Sequence, residues 1–136
     1  DFMKSVLPFE HMLVEDGIQV FKYYLDISKE EQKRRLKDRR IDPLKQWKIS
    51  PIDKVAIKHW GDYSAARNEM FERTHNEITP WYVVRADDKK RARLNVIRHL
   101  MSLVDCPDKD EHAAKPDPEI VFAYDERQLE NGAIAR

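Results

Sequence analysis

The segment from residue 29 to residue 48 concentrates charge that could bind phosphate, with nine Lys or Arg residues against four Asp or Glu. Leu36 is its only large apolar residue before Ile41. A helix that is polar on all sides bridges solvent, relies on ion pairs, or faces a charged partner. Arg offers a planar fork that can bond two phosphate oxygens, whereas Lys acts as a mobile point charge. The candidate phosphate-binding side chains are Arg34, Arg35, Arg39, Arg40, Lys45 and Lys48.

Capping signals predict where this basic segment is helical. Ser28, with Glu31 three residues later, forms a capping box that starts a helix, and Asp42-Pro43 ends it. Pairs such as Glu31–Arg35 could instead make the basic residues ordinary solvated surface charges. Trp47 is predicted to be a packing anchor.

A second helix is predicted to begin at Ser50-Pro51, where Asp53 completes another capping box. Its apolar residues recur with helical periodicity, so one helix of roughly 35 Å is expected to run to about Thr74. Gly61 would weaken this helix locally without ending it.

Two apolar runs, at residues 20–27 and 81–86, predict buried strands of a parallel sheet. Asp87-Asp88 is expected to cap the helix that follows the second run. The predicted buried stripe of that helix is Leu94, Ile97, Leu100, Met101 and Val104. Alternating strands and helices indicate an α/β fold with helical crossovers, and two strands are too few for a complete sheet. The chain therefore reads as the last portion of a larger α/β domain.

The overall composition disfavours several classes of partner. The formal net charge is zero, and residues 105–136 carry nine acidic and four basic residues. A general nucleic-acid or membrane binder usually has a global basic surplus, so neither partner is expected. No apolar run approaches the ~20 residues of a membrane span and no leader pattern is visible. The single cysteine, Cys106, fits a reducing compartment, and the cytoplasm is expected. The histidines show no metal-ligand spacing, so no metal ligand is assigned.

Four sequence blocks follow one another along the chain: FEHMLVEDGI (9–18), ISKEEQKRRLKDR with IDPLKQWK (27–48), WGDYSAARNEMFERT (60–74) and PWYVVRADDKKRARLNVIRHL (80–100). Together they resemble the polyphosphate kinase 2 family, a branch of the P-loop kinases, over about Phe9 to Val104. The resemblance implies the C-terminal part of a three-layer, parallel-sheet P-loop kinase-like domain over residues 1–104. A helical lid would occupy about residues 28–60, and residues 105–136 would form an acidic, surface-hugging extension with one short extended or helical piece at 119–124.

The same resemblance implies an enzyme that moves the terminal phosphoryl group between inorganic polyphosphate and a nucleotide, with Mg²⁺. Lid arginines would contact the phosphoryl group while it is being transferred. Arg39 is the first choice for this role and Arg35 the second. Arg34, Arg40, Lys45 and Lys48 would hold polyphosphate. The loop residues Asp87, Asp88 and Lys89 would approach the nucleotide. Family members assemble into oligomers, so a homo-oligomer is expected.

One departure from the family concerns the phosphate loop. No G-x-x-x-x-G-K-[ST] motif occurs in the sequence. The resemblance places that motif and the acidic Mg²⁺ ligands upstream of Asp1, so the chain is expected to supply lid and C-terminal elements only. The alternative is a non-catalytic module that binds polyphosphate or another polyanion, or an inactive kinase fragment. A helical nucleic-acid binder using residues 32–40 is disfavoured by the two buried-type strands.

Overall fold

Two parallel strands form the centre of the fold in a computed structural model, which describes residues 2–135. Strand β1 (Lys22–Asp26) pairs in parallel with β2 (Trp81–Arg85), as the apolar runs predict. Strand β3 (Val121–Ala123) pairs antiparallel with β2, giving the order β1-β2-β3. The short piece expected at 119–124 is therefore extended and joins the sheet.

The helices connect and flank these strands. They are α1 (Phe2–Glu15), α2 (Lys29–Ile41), α3 (Trp60–Thr74), α4 (Lys89–Leu103) and α5 (Arg127–Glu130). Two 3₁₀ turns, Gln46–Lys48 and Pro51–Lys54, lie between α2 and α3. Within residues 2–135, no helix combines the length and the apolar character that a bilayer crossing requires.

Both faces of the sheet are covered, which gives the expected layered arrangement. Val83 and Val84 are fully buried and point to opposite faces because side chains alternate along a strand. Val84 packs with Ala92 of α4 in one core cluster, and Val83 packs with Phe71 of α3 in the other.

The basic helix α2 begins where its capping box predicts. The Ser28 hydroxyl accepts a hydrogen bond from the Glu31 amide at 3.1 Å, and the Asp42 amide donates to the Asp38 carbonyl at 2.9 Å where the helix ends. Leu36 is its one buried residue. Tertiary contacts of polar side chains, more than apolar packing, must therefore hold α2 in place.

The prediction of a single helix from Ser50 to Thr74 is wrong. Pro51–Lys54 forms a 3₁₀ turn, and α3 begins only at Trp60. The Ser50 side chain donates to the Asp53 carboxylate at 3.3 Å and caps no helix. Asp53 also accepts from Arg39 of α2, and a contact between separate elements leaves no trace in helical periodicity.

The predicted buried stripe of α4 is also wrong. Leu94 and Ile97 are about half exposed, at 47% and 56%, whereas Ala92 and Asn95 are buried. The sheet covers the side of α4 that carries Ala92, and the larger apolar residues lie on the far side. The Asn95 side chain accepts from the Asp117 amide at 2.7 Å, so part of the face that α4 buries is a polar contact with the tail.

The acidic tail does more than lie on the surface. Ile134 is 1% exposed and belongs to the core cluster of Val83. The Ala135 amide donates to Asp26 at 2.8 Å, and Arg67 donates to the Ala135 carbonyl at 2.6 Å. Burial raises the pKa of Asp26, although the Ala135 amide and the Arg67 cation oppose the rise. The tail thereby closes the end of β1.

We expect Ile134→Ala to lower the free energy of unfolding by about 2–5 kcal/mol, because it leaves a cavity in a close-packed core. Urea denaturation followed by circular dichroism measures the change. Ile78→Ala is the matched control, since Ile78 is 55% exposed and should cost no more than about 0.5 kcal/mol. Equal losses for the two variants would show that the tail is not part of the core.

Candidate functional site

A cleft of about 550 Å³ opens between α2, the first 3₁₀ turn and the loop that joins β2 to α4. Every side chain that lines this basic cleft is charged, seven basic and three acidic. They are Arg34, Arg35, Asp38, Arg39, Lys45, Lys48, Asp87, Asp88, Lys89 and Lys90. Charges of one sign that line a cleft focus the electrostatic field, so the site attracts anions.

The cleft brings together most of the side chains that the sequence singled out. The predicted phosphate-binding residues all line it except Arg40, which is exposed on α2 outside the lining. The three loop residues 87–89 line it as well. Lys90 was not among the predicted site residues. Its position beside Lys89, at the start of a capped helix, could have indicated that it belongs to the site.

Arg35 fastens α2 to the loop after β2. Its guanidinium donates to the carbonyls of Ala86 and Asp87 and to the Glu31 carboxylate. The Ser28 amide donates to the Asp87 carboxylate at 2.8 Å, which adds a second tie at the start of the helix. These contacts join segments more than fifty residues apart in sequence, and they form one wall of the cleft.

Asp88 shapes the opposite wall by capping α4. Its carboxylate accepts from the amides of Arg91 and Lys90, which lower the pKa of Asp88. The predicted helix cap is thus confirmed for Asp88. Backbone amides engage the carboxylates of both Asp87 and Asp88, and among the described residues neither acid forms an ion pair with a basic side chain of the cleft.

Arg39 reaches the cleft with part of its hydrogen-bonding capacity unused. Its Nη1 donates to the Asp53 carboxylate at 2.7 Å and to the Lys48 carbonyl at 3.4 Å. Considering residues 2–135 only, Nε and Nη2 have no protein acceptor. The sequence did not predict the contact between Asp53 and Arg39, because the capping pattern that begins at Ser50 already explained why Asp53 stands at this position.

Among the described residues, Lys48, Lys89 and Lys90 are the cations of the cleft that lack an acidic partner. None of these ammonium groups forms an ion pair with an acid in the described part of the chain, whereas Arg39 is paired with Asp53. Lys48 lies over the Trp47 ring at 4.9 Å, and Trp47 is 78% exposed, so the prediction of a packing anchor is wrong. The Arg35 cation, burial and the nearby Lys48 and Lys45 all lower the pKa of Lys89. A bound anion would relieve this repulsion.

Arg34 and Lys45 are held by partly buried acids, while the two cations themselves are 60% and 45% exposed. Arg34 bonds Glu31 at 2.6 Å and Asp38 at 3.1 Å, and Lys45 bonds Asp42 at 2.8 Å. Hydrogen bonds from Arg34 lower the pKa of Glu31 to about 2. Because both cations reach solvent, which screens such pairs, a polyanion can compete with the acids for them.

A search of residues 2–135 finds no group of three His, Cys, Asp or Glu side chains that could hold a metal ion. What the cleft can do with its own side chains is bind phosphate groups, orient them and neutralise their charge.

Comparison with known proteins agrees with this chemistry. The family profile of polyphosphate kinase 2 matches residues 1–112. The chain is 48% identical over 122 residues to NDP-polyphosphate phosphotransferase 2 of Ruegeria pomeroyi, covering 89% of this chain and 36% of that protein. It is 50% identical over 122 residues to the GDP-polyphosphate phosphotransferase of Pseudomonas aeruginosa, covering 89% of this chain and 34% of the relative. The chain thus spans about a third of the length of these relatives.

A solved structure shows the same fold. The crystal structure of polyphosphate kinase 2 from Arthrobacter aurescens TC1 superposes with a TM-score of 0.71 at 40% sequence identity. The match covers 82% of this chain and 42% of that chain. The fold is consistent with the P-loop kinase-like domain expected from the sequence, and the whole basic cleft lies inside the residues that the family profile matches. The chain belongs to the polyphosphate kinase 2 family.

Proposed function

We propose that this protein transfers the terminal phosphoryl group between inorganic polyphosphate and a nucleoside diphosphate, ADP or GDP. The observation that carries the proposal is the convergence of seven cations in one cleft. Among the described residues, Lys48, Lys89 and Lys90 have no acidic partner, and Arg39 keeps Nε and Nη2 without a protein acceptor. The names of the relatives, which are NDP- and GDP-polyphosphate phosphotransferases, support both substrates. In the nucleotide-forming direction, a terminal oxygen of the nucleoside diphosphate attacks the last phosphorus of the polymer. The polymer leaves one phosphate shorter and keeps the bridging oxygen.

Phosphoryl transfer depends on positioning and charge stabilisation more than on covalent chemistry. Arg39 has Nε and Nη2 available. In the proposal, this planar edge binds two oxygens of the phosphoryl group that is being transferred. Lys48 neutralises neighbouring phosphates of the polymer. Arg34 and Lys45 exchange their acidic partners for the polyanion, and Arg40 contacts only a polymer that extends beyond the cleft.

In this proposal Arg35 and the loop residues have distinct parts. Arg35 maintains the cleft, because its guanidinium is committed to the carbonyls of Ala86 and Asp87. Lys89 contacts the nucleotide phosphates, while Asp87 and Asp88 hold the loop that presents it. Mg²⁺ is proposed to accompany the phosphates, as is usual for this reaction class. No step here is assigned to a metal held by this chain.

The direct test is an assay of the purified protein with polyphosphate, Mg²⁺ and either ADP or GDP, with the nucleoside triphosphate quantified by chromatography. We expect triphosphate formation that requires polyphosphate. Isothermal titration with polyphosphate distinguishes the alternative function. Tight binding without turnover for any nucleotide would replace the kinase proposal by a polyphosphate-binding module, and absence of both would refute each of them.

We expect Arg39→Ala to reduce kcat by about 10³-fold or more, because arginines that stabilise the transferring phosphoryl group contribute on this scale. The melting temperature should fall as well, because the buried Asp53 carboxylate loses its cation, but the protein should remain folded under the assay conditions. Lys37→Ala is the control, as Lys37 is an exposed base of the same helix outside the cleft. A similar kcat for the two variants would contradict the role of Arg39.

A further inference from the structure

The partner of Arg39 stands out among the acids around the cleft. Asp53 lies in the second 3₁₀ turn and is 8% exposed, although it does not line the cleft itself. Its Oδ1 accepts from Arg39 Nη1 at 2.7 Å and from the Ser50 hydroxyl at 3.3 Å. The carboxylate is thus fixed on one side by its own turn and on the other by α2.

This contact uses the part of the guanidinium that is least suited to the substrate. A guanidinium is planar, so anchoring Nη1 limits rotation of the whole group about its last bonds. The edge that carries Nε and Nη2 has no acceptor within the described chain, and this edge matches two oxygens of one phosphate. Asp53 therefore fixes the orientation of Arg39 without occupying the edge that binds.

The same carboxylate makes the site less cationic. A negative charge beside Arg39 weakens the attraction between the cleft and a polyanion in the ground state. A residue that served only affinity would not carry this charge, whereas one that orients a catalytic cation would. Asp53 is therefore expected to have two separate effects. It raises turnover by orienting Arg39, and it slightly lowers the affinity for the substrate by reducing the positive charge of the site.

We propose that Asp53 is a positioning residue for phosphoryl transfer, which holds the Arg39 guanidinium with its Nε–Nη2 edge toward the transferring phosphate. The inference rests on the proposed function and adds to it a residue outside the cleft. It also gives a reason for the interruption before α3, since the 3₁₀ turn brings Asp53 to Arg39.

Steady-state kinetics of Asp53→Asn test this inference, because the variant keeps the side-chain shape and removes the charge. We expect kcat to fall by about 10- to 100-fold, the scale of a small misplacement of a catalytic group. The KM for polyphosphate should stay unchanged or decrease. Glu69→Gln is the matched control, since Glu69 pairs with Arg73 at 2.6 Å on the exposed side of α3. Its kcat should equal that of the wild type.

A double-mutant cycle with Arg39→Ala distinguishes positioning from a structural role. If Asp53 acts through Arg39, Asp53→Asn causes no further loss of kcat in the Arg39→Ala background. An equal fractional loss in both backgrounds, or a lowered melting temperature that accounts for the loss, would overturn the inference. So would an Asp53→Asn variant with wild-type kcat, a result that leaves the proposed function intact. A wild type without turnover would instead refute the proposed function, and with it any catalytic role for Asp53.

Discussion

Repulsion among the basic side chains of the cleft is the constraint on which the rest of this structure depends. Seven cations share one opening, and Arg35, burial, Lys48 and Lys45 lower the pKa of Lys89 there. Helix α2 buries only Leu36 and so has little apolar packing to oppose that repulsion. The ties from Arg35 and Ser28 to the loop after β2 hold the helix in place. Acids pair with some of the cations and leave Lys48, Lys89, Lys90 and the Nε–Nη2 edge of Arg39 available to an anion.

The sequence predicted the parts of the fold that depend on local signals. Both parallel strands and the start of α2 at Ser28 were predicted, because apolar runs and capping boxes act over a few residues. The 3₁₀ turn before α3 carries Asp53 to a bond with Arg39, and the two residues are fourteen apart in sequence. The buried side of α4 depends on where the sheet and the tail meet it, and periodicity alone does not contain that information.

The candidate site was predictable to a similar extent and for a similar reason. Charge density marked α2 and the following turn, and the capped loop at residues 87–89 marked the other wall. Their convergence in one cleft required the resemblance to a family or the structure itself. The different contacts of Arg35 and Arg39 were not predictable, since the two residues look equivalent in sequence. One is committed to main-chain carbonyls, while the other keeps a free edge.

Residues beyond the family match also contribute to the architecture. The family profile ends at residue 112, yet β3 and Ile134 complete the sheet and one core cluster. The tail meets Asp26 and Arg67 at the carboxyl end of β1, where α/β proteins commonly bind ligands. The acidic composition of the tail therefore conceals a structural role, because its buried anchors are the apolar Ile134 and the main chain of Ala135.

Polyphosphate is expected to contact the lysines of the basic cleft that lack an acidic partner in the described chain, together with the Nε–Nη2 edge of Arg39. Side-chain nitrogen resonances of arginine and lysine, followed by NMR during titration with polyphosphate, test this claim most directly. The largest shifts are expected at Arg39, Lys48, Lys89 and Lys90, with smaller shifts at Arg34 and Lys45 as they change partners. Shifts concentrated at basic residues outside the cleft, such as Arg73 and Arg98, with Arg39 unchanged, would contradict it.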